Sequence, residues 1–169
     1  MIIVNNSLSN LSQTNMERLD DFISSSDEST IFHTLDWNLI LLNNLESNKE
    51  QKRVIFVEES SMIKGVLFFI KINKKILFDY NYSPSTKYET PYGGPIFNGD
   101  PKVLAAIFNS LKGHFFGNTI IHTSPLASNL ITNFYYREHR AETVIINLKE
   151  SQENLWNSLK RNTKRNVKK

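Results

Sequence analysis

The sequence predicts an α/β layered domain with a mixed, largely antiparallel sheet flanked by helices. Apolar residues first recur at helical spacing, in Met16, Leu19, Phe22 and Ile23 and again across Trp37–Leu45. The period then shortens, and three β-rich runs follow one another between Arg53 and Tyr80. Beyond residue 100 helical and extended signals alternate, the order expected of helices layered on a mixed sheet. With 169 residues, 40% of them hydrophobic, the chain has enough apolar side chains for one globular core.

Each element has a local reason. Thr14-Asn15-Met16-Glu17 has capping-box form and opens a first helix that Ser24-Ser25-Ser26 ends. A second helix begins near His33 or Thr34, carries Trp37 to Leu45, and is apolar enough on most sides to be well buried. Arg53–Val57, Met62–Ile72 and Lys75–Tyr80, separated by polar breaks, read as a three-stranded antiparallel meander. A loop rich in Pro, Ser and Tyr runs to Tyr92-Gly93-Gly94-Pro95, and Asp100-Pro101 then caps a third helix lined by Val103, Leu104, Ile107, Phe108 and Leu111. A strand over Thr119–His122, a short helix around Leu126–Tyr135, a strand over Thr143–Leu148 and a final helix from about Ser151 complete the order.

Composition excludes several chemistries. There is no cysteine, hence no disulfide, thiolate zinc site, iron–sulfur cluster or cysteine nucleophile. No apolar run reaches the ~18 residues of a membrane span, and Met1–Val4 followed by Asn5-Asn6 lacks the form of a secretion signal, so a cytoplasmic protein is expected. The histidines His33, His114, His122 and His139 show no ligand spacing, so no metal is expected. No GxSxG elbow, P-loop or GxGxxG turn occurs. Adjacent acids at Asp20-Asp21 and Glu58-Glu59 fall on a helix end and in a hairpin turn, where solvated surface is the expected reading.

The net charge of +3 is unevenly placed. Six cations and no acid occupy residues 160–169, while residues 1–159 carry 14 Lys and Arg against 17 Asp and Glu. On a final helix, Lys160, Lys164 and Lys168, and Arg161 and Arg165, recur at i, i+4, where like charges repel by about 0.2–0.5 kcal/mol per pair. An anionic ligand such as a phosphate would relieve them, and so would the solvation of a frayed terminus. The stripe Leu155, Leu159, Thr163 and Val167, with Trp156 beside it, would dock the same helix on the domain. Tyr92-Gly93-Gly94-Pro95 has two readings as well: a turn entering a strand, or backbone lining a ligand cleft with Tyr80, Tyr82 and Tyr92 as aromatic walls.

Four segments in order resemble the first half of the Fem-type (FemAB-like) aminoacyltransferases, a branch of the GNAT acyltransferase superfamily. They are Ile31-Phe32-His33-Thr34-Leu35-Asp36-Trp37, Pro91-Tyr92-Gly93-Gly94-Pro95, Ile121-His122-Thr123-Ser124-Pro125, and Val144–Leu148 with Glu153–Leu159 and the basic run to Lys169. The resemblance covers nearly the whole chain and implies a GNAT-like N-terminal domain over residues 1–150, with 151–169 starting a basic helix that leads into a second GNAT-like domain. It further implies transfer of an acyl or aminoacyl group to an amine acceptor, in cell-envelope peptidoglycan or polysaccharide modification. Acyl-CoA or aminoacyl-tRNA would serve as donor for the full-length enzyme, this half alone being inactive. His33, Trp37, Tyr92, Gly93, Gly94, Lys164 and Arg165 are the substrate-binding residues it suggests, with no catalytic residue assigned.

Two departures bear on the acceptor. Leu39, Ile40 and Leu41 stand where muramyl-peptide-binding relatives carry a lysine, and Ile121-His122 replaces a strand arginine. The superfamily's [RQ]xxGx[GA] pyrophosphate cradle is missing too, as expected if the donor binds the other half. The alternative reading is a GNAT-like binding module that offers its basic C-terminal helix to RNA or an acidic partner.

Overall fold

The computed structural model describes residues 1–75, 78–84, 88, 90–111, 116–127 and 151–167. The chain divides into two compact units, Met1–Thr132 and Asn133–Lys169.

The first unit is α/β. Its six strands are β1 (Ile2–Ser7), β2 (Glu50–Glu59), β3 (Met62–Lys75), β4 (Phe78–Ser83), β5 (Ile96–Phe97) and β6 (Phe116–Ile121), joined in the order β1-β2-β3-β4-β6 with β5 also on β3. The expected meander is present, because β2, β3 and β4 pair antiparallel in sequence. Ser60 and Ser61 close its first hairpin with φ of 50° and 63°, the pair of positive values that a tight two-residue turn uses. Arg18 from the first helix pairs with Glu58 beside this turn at 2.7 Å, so one of the adjacent acids has a structural partner. The sheet is mixed because β6 runs parallel to β4, the connection between them passing through a helix.

Both faces of the central strands are covered, which is why β2 and β3 are continuously apolar rather than alternating. Val54, Phe56, Val66 and Phe68 pack with Leu19, Ile23 and Leu35 of α1 (Gln13–Ser24) and α2 (Leu35–Asn43). Ile55, Val57, Leu67 and Phe69 pack on the opposite face with Val103, Ala106, Ile107 and Leu111 of α3 (Pro101–Leu111).

Several expectations shift. Helix α1 starts two residues earlier than the Thr14–Glu17 box implies, since the Ser12 side chain accepts from the Asn15 N–H and leaves Thr14 inside the first turn. Strand β1 was not expected at all. It is an edge strand with Ile2 and Ile3 largely exposed, so its sequence carries little of the burial pattern that announces a strand. Trp37 and Trp156 are both largely, though not fully, buried. The strand expected at Thr143–Leu148 and most of the helix expected around Leu126–Tyr135 lie outside the described residues.

In the second unit the single basic helix is instead two short ones, α4 (Gln152–Ser158) and α5 (Arg161–Val167). The Ser158 hydroxyl donates to the Leu155 carbonyl at 2.7 Å, occupying the acceptor that the Leu159 N–H would need to continue the helix. That N–H turns to the Trp156 carbonyl, and Leu159 becomes extended at ψ 137°. The apolar stripe through Leu155 and Leu159 is thereby broken, and Lys160 sits at the joint.

Candidate functional site

One column of the sheet is filled by two separate stretches of chain. Strand β4 pairs with β3 from Ile70 onward, and β5 pairs with it at Gly65 and Val66. Extended by one residue, the β4 register sets Ser83 opposite Phe69; extended by three, the β5 register sets Gly93 opposite the same residue. On the other side of the column, Ser83 pairs with Ile121 and Gly93 bridges Thr123 in parallel. The chain therefore leaves the sheet after Ser83 and re-enters it at Gly93.

The neck of this excursion is tightly made. The Ser83 hydroxyl donates to the Phe68 carbonyl at 2.6 Å and accepts from the Gly94 N–H at 3.1 Å, taking the place of ladder bonds that the departing strand no longer makes. The His122 N–H donates to the Ser83 carbonyl and the Gly93 N–H to the His122 carbonyl, both at 2.8 Å. Gly94 holds φ of +88°, a conformation that glycine adopts without penalty.

A small cavity opens at this neck, with room for about one water molecule. Among the described residues seven polar or charged side chains are buried, and five of them line it: His33, Asn38, Lys52, Ser83 and Thr90. Gly93, Gly94 and Phe32 contribute further wall. Buried polar groups are costly and sparse in most cores, so their concentration at a sheet discontinuity marks this as the candidate site.

His33 ends a short 3₁₀ turn, Ile31–His33, just before α2. Its Nδ1 accepts the Thr30 backbone N–H at 3.0 Å, which fixes the proton on Nε2, and Nε2–H donates to the Gly93 carbonyl at 2.9 Å. Burial holds its pKa below the ordinary histidine value, partly offset by the bond to Gly93. With both ring nitrogens engaged, His33 is a positioning residue. Asn38 is committed in the same way, its amide donating to the Phe32 and Thr34 carbonyls.

Lys52 differs from all of these. It shares the α1/α2 face of β2 with Val54 and Phe56 and is only 2% exposed, yet its amine has neither a hydrogen bond nor an ion pair among the described residues. Desolvation alone brings its pKa down from 10.5 to about 7. The sequence reading missed it because the strand was begun at Arg53. Starting β2 one residue earlier would have placed a lysine in register with two core positions on a covered face.

Of the residues singled out from sequence, His33, Gly93 and Gly94 meet at the cavity. Trp37 and Tyr92 do not line it; they brace Phe32, which does, with edge-on ring contacts at 5.3 and 6.3 Å. The Trp37 indole N–H also reaches the Thr90 hydroxyl at 3.3 Å, tying the excursion to α2. Tyr80 and Tyr82 stack on each other along β4, their ring centroids 6.5 Å apart, and neither lines the cavity. Lys164 and Arg165 belong to the second unit. There the Lys164 amine lies 5.9 Å from the Trp156 ring centroid and donates to the Asn157 carbonyl at 3.1 Å, capping the end of α4, whereas Arg165 is exposed.

Among the described residues no three metal-ligating side chains come together, and no helix is long and apolar enough to cross a membrane. The chain matches no protein-family model and no curated protein.

Proposed function

We propose that this chain supplies the acceptor side of an acyl- or aminoacyltransferase that acts on an amine, the donor, acyl-CoA or aminoacyl-tRNA, being held by a second GNAT-like domain. The observation that carries this reading is the convergence on Gly93. Three of the four segments on which the family resemblance rests meet at that residue: it accepts from His33, donates to His122 and bridges Thr123. Segments separated by 60 and 29 residues thus build one polar neck, which is how a substrate-shaping site is assembled on an otherwise apolar sheet.

Attack of an amine on an ester or thioester carbonyl needs positioning, a proton acceptor and oxyanion stabilisation, and no covalent nucleophile. The absence of cysteine from the chain is compatible with that reaction. The test is transfer of a labelled acyl or aminoacyl group to amine-bearing peptidoglycan and polysaccharide precursors, by the native protein and by the 169-residue chain alone. Transfer by the native protein with none by the chain supports the reading. Turnover by the chain alone, or none by either, overturns it.

The second reading, a binding module for RNA or an acidic partner, rests on Lys160, Arg161 and Arg165. All three are exposed and none makes an ion pair among the described residues. Salt-dependent RNA binding without any transferase activity would favour it.

A further inference from the structure

Lys52 and Asn38 each carry a polar atom that the described protein groups leave without a partner. The Asn38 amide nitrogen donates to the Phe32 and Thr34 carbonyls, but its Oδ1 accepts from no group among the described residues, and the Lys52 amine is equally without a bond there. Among the described residues, every side-chain nitrogen or oxygen that is sealed from solvent does have a partner. These two atoms must therefore border space that a water molecule can enter. Since Asn38 and Lys52 are only 1% and 2% exposed, that space is the cavity at the neck, which both side chains line.

We propose that this cavity is a binding site for one ordered water molecule, which accepts a hydrogen bond from the Lys52 amine and donates one to the Asn38 amide oxygen. Size and chemistry select the ligand together. Room for about one water excludes anything larger, and a polar lining holds water where an apolar one would stay dry. A cation of that size would meet the Lys52 ammonium, and an anion would meet the Asn38 oxygen. A buried water makes about three hydrogen bonds. Its second hydrogen can turn to the Ser83 or Thr90 hydroxyl, each of which spends only one of two acceptor sites, on the Gly94 N–H and the Trp37 indole N–H respectively. The bridge depends on Lys52, because the other side-chain donors lining the cavity are spent: His33 on Gly93, Ser83 on Phe68, Thr90 on Tyr88, and Asn38 on Phe32 and Thr34. The water joins β2 to α2 and gives the buried amine one acceptor in place of bulk solvent. The site stands independently of the acyl-transfer proposal, because it is observed without donor or acceptor substrate.

A high-resolution crystal structure of the 169-residue chain at pH 6 tests this directly. One solvent peak within about 3.2 Å of both Lys52 Nζ and Asn38 Oδ1 is the expected result. An empty cavity, or a direct bond between the two side chains, overturns the site. An anomalous peak at the same position in crystals soaked in sodium bromide would assign it to an anion and overturn it as well. In solution, oxygen-17 relaxation dispersion counts long-lived internal waters in wild type, Lys52→Met and the exposed control Lys102→Met. Lys52→Met should hold one such water fewer than the other two, having lost the donor that retains it. An equal count in all three overturns the role of Lys52. Should Lys52→Met fail to fold, the wild-type crystal structure decides.

Discussion

A Cβ on Gly93 would stand 2.7 Å from the backbone nitrogen of Pro84 and 2.8 Å from its Cδ, so the two ends of the excursion touch where the strand is interrupted. The obstacle is backbone and a rigid ring, not the tip of a movable side chain. Gly93→Ala is therefore expected to destabilise the protein by about 1–3 kcal/mol through overpacking. Gly99→Ala is the control, since Gly99 has φ of +85° but nothing near its missing Cβ, and only the conformational cost of about 1 kcal/mol applies. Urea unfolding of both variants measures the difference; equal losses would mean that the neck opens freely.

How much of this was legible in the sequence follows from which forces leave a pattern. The helices and the meander were readable because burial imposes its period on Met16–Ile23 and on the runs from Arg53 onward. Gly93 and His33 could be singled out by type, but their hydrogen bond spans 60 residues and has no periodicity to announce it. Lys52 was invisible for the opposite reason: a lysine beside an apolar run reads as a strand end, and only the observed register with Ile70 places it on a covered face. The break between α4 and α5 depends on one hydroxyl choosing the Leu155 carbonyl, a choice that propensity does not resolve.

Replacing His33 tests the neck from its other side. His33→Phe leaves the partly buried Thr30 N–H and the buried Gly93 carbonyl without their partner, at a cost of about 1–4 kcal/mol. The pH dependence has a definite sign. Because the folded-state pKa lies below the ordinary value of 6.5, the unfolded chain takes up the proton first, and wild-type stability falls as pH drops below about 6.5. Comparing wild type with His33→Phe by denaturant unfolding between pH 5 and 8 isolates this contribution, and a difference that does not shrink on acidification would contradict it.

Lys52 gives a prediction in the alkaline range. Its folded pKa of about 7 lies well below the unfolded value, so the unfolded chain holds one more proton from about pH 7 to 10 and stability contributed here rises with pH across that window. Below pH 7 both states are protonated and the full penalty of burying the ammonium persists, at most roughly 5 kcal/mol from the size of the shift. Lys52→Met, which keeps the volume and removes the charge, is expected to be more stable than wild type at pH 6, with the advantage diminishing toward pH 10. Parallel stability curves over that interval would show that Lys52 is compensated in solution.

The two basic residues of the second unit should separate in their effects, although sequence alone pairs them. Lys164 is engaged twice, over the Trp156 ring and on the Asn157 carbonyl, so Lys164→Ala removes a cap of about 0.5–1 kcal/mol from the joint between α4 and α5. In a Trp37→Phe background, where Trp156 is the remaining tryptophan, its emission should shift as the ring loses that cation. Arg165 is exposed and makes no such contact, so Arg165→Ala should leave the emission unchanged. If the basic segment holds a phosphate-bearing donor, Arg165→Ala flattens the salt dependence of binding to aminoacyl-tRNA by about 0.7–0.9 in the log–log slope, the release of one counterion. Titration of native protein and variant at several salt concentrations reads that slope directly. Identical slopes would assign Arg165 no phosphate, and the donor would then be held by other groups.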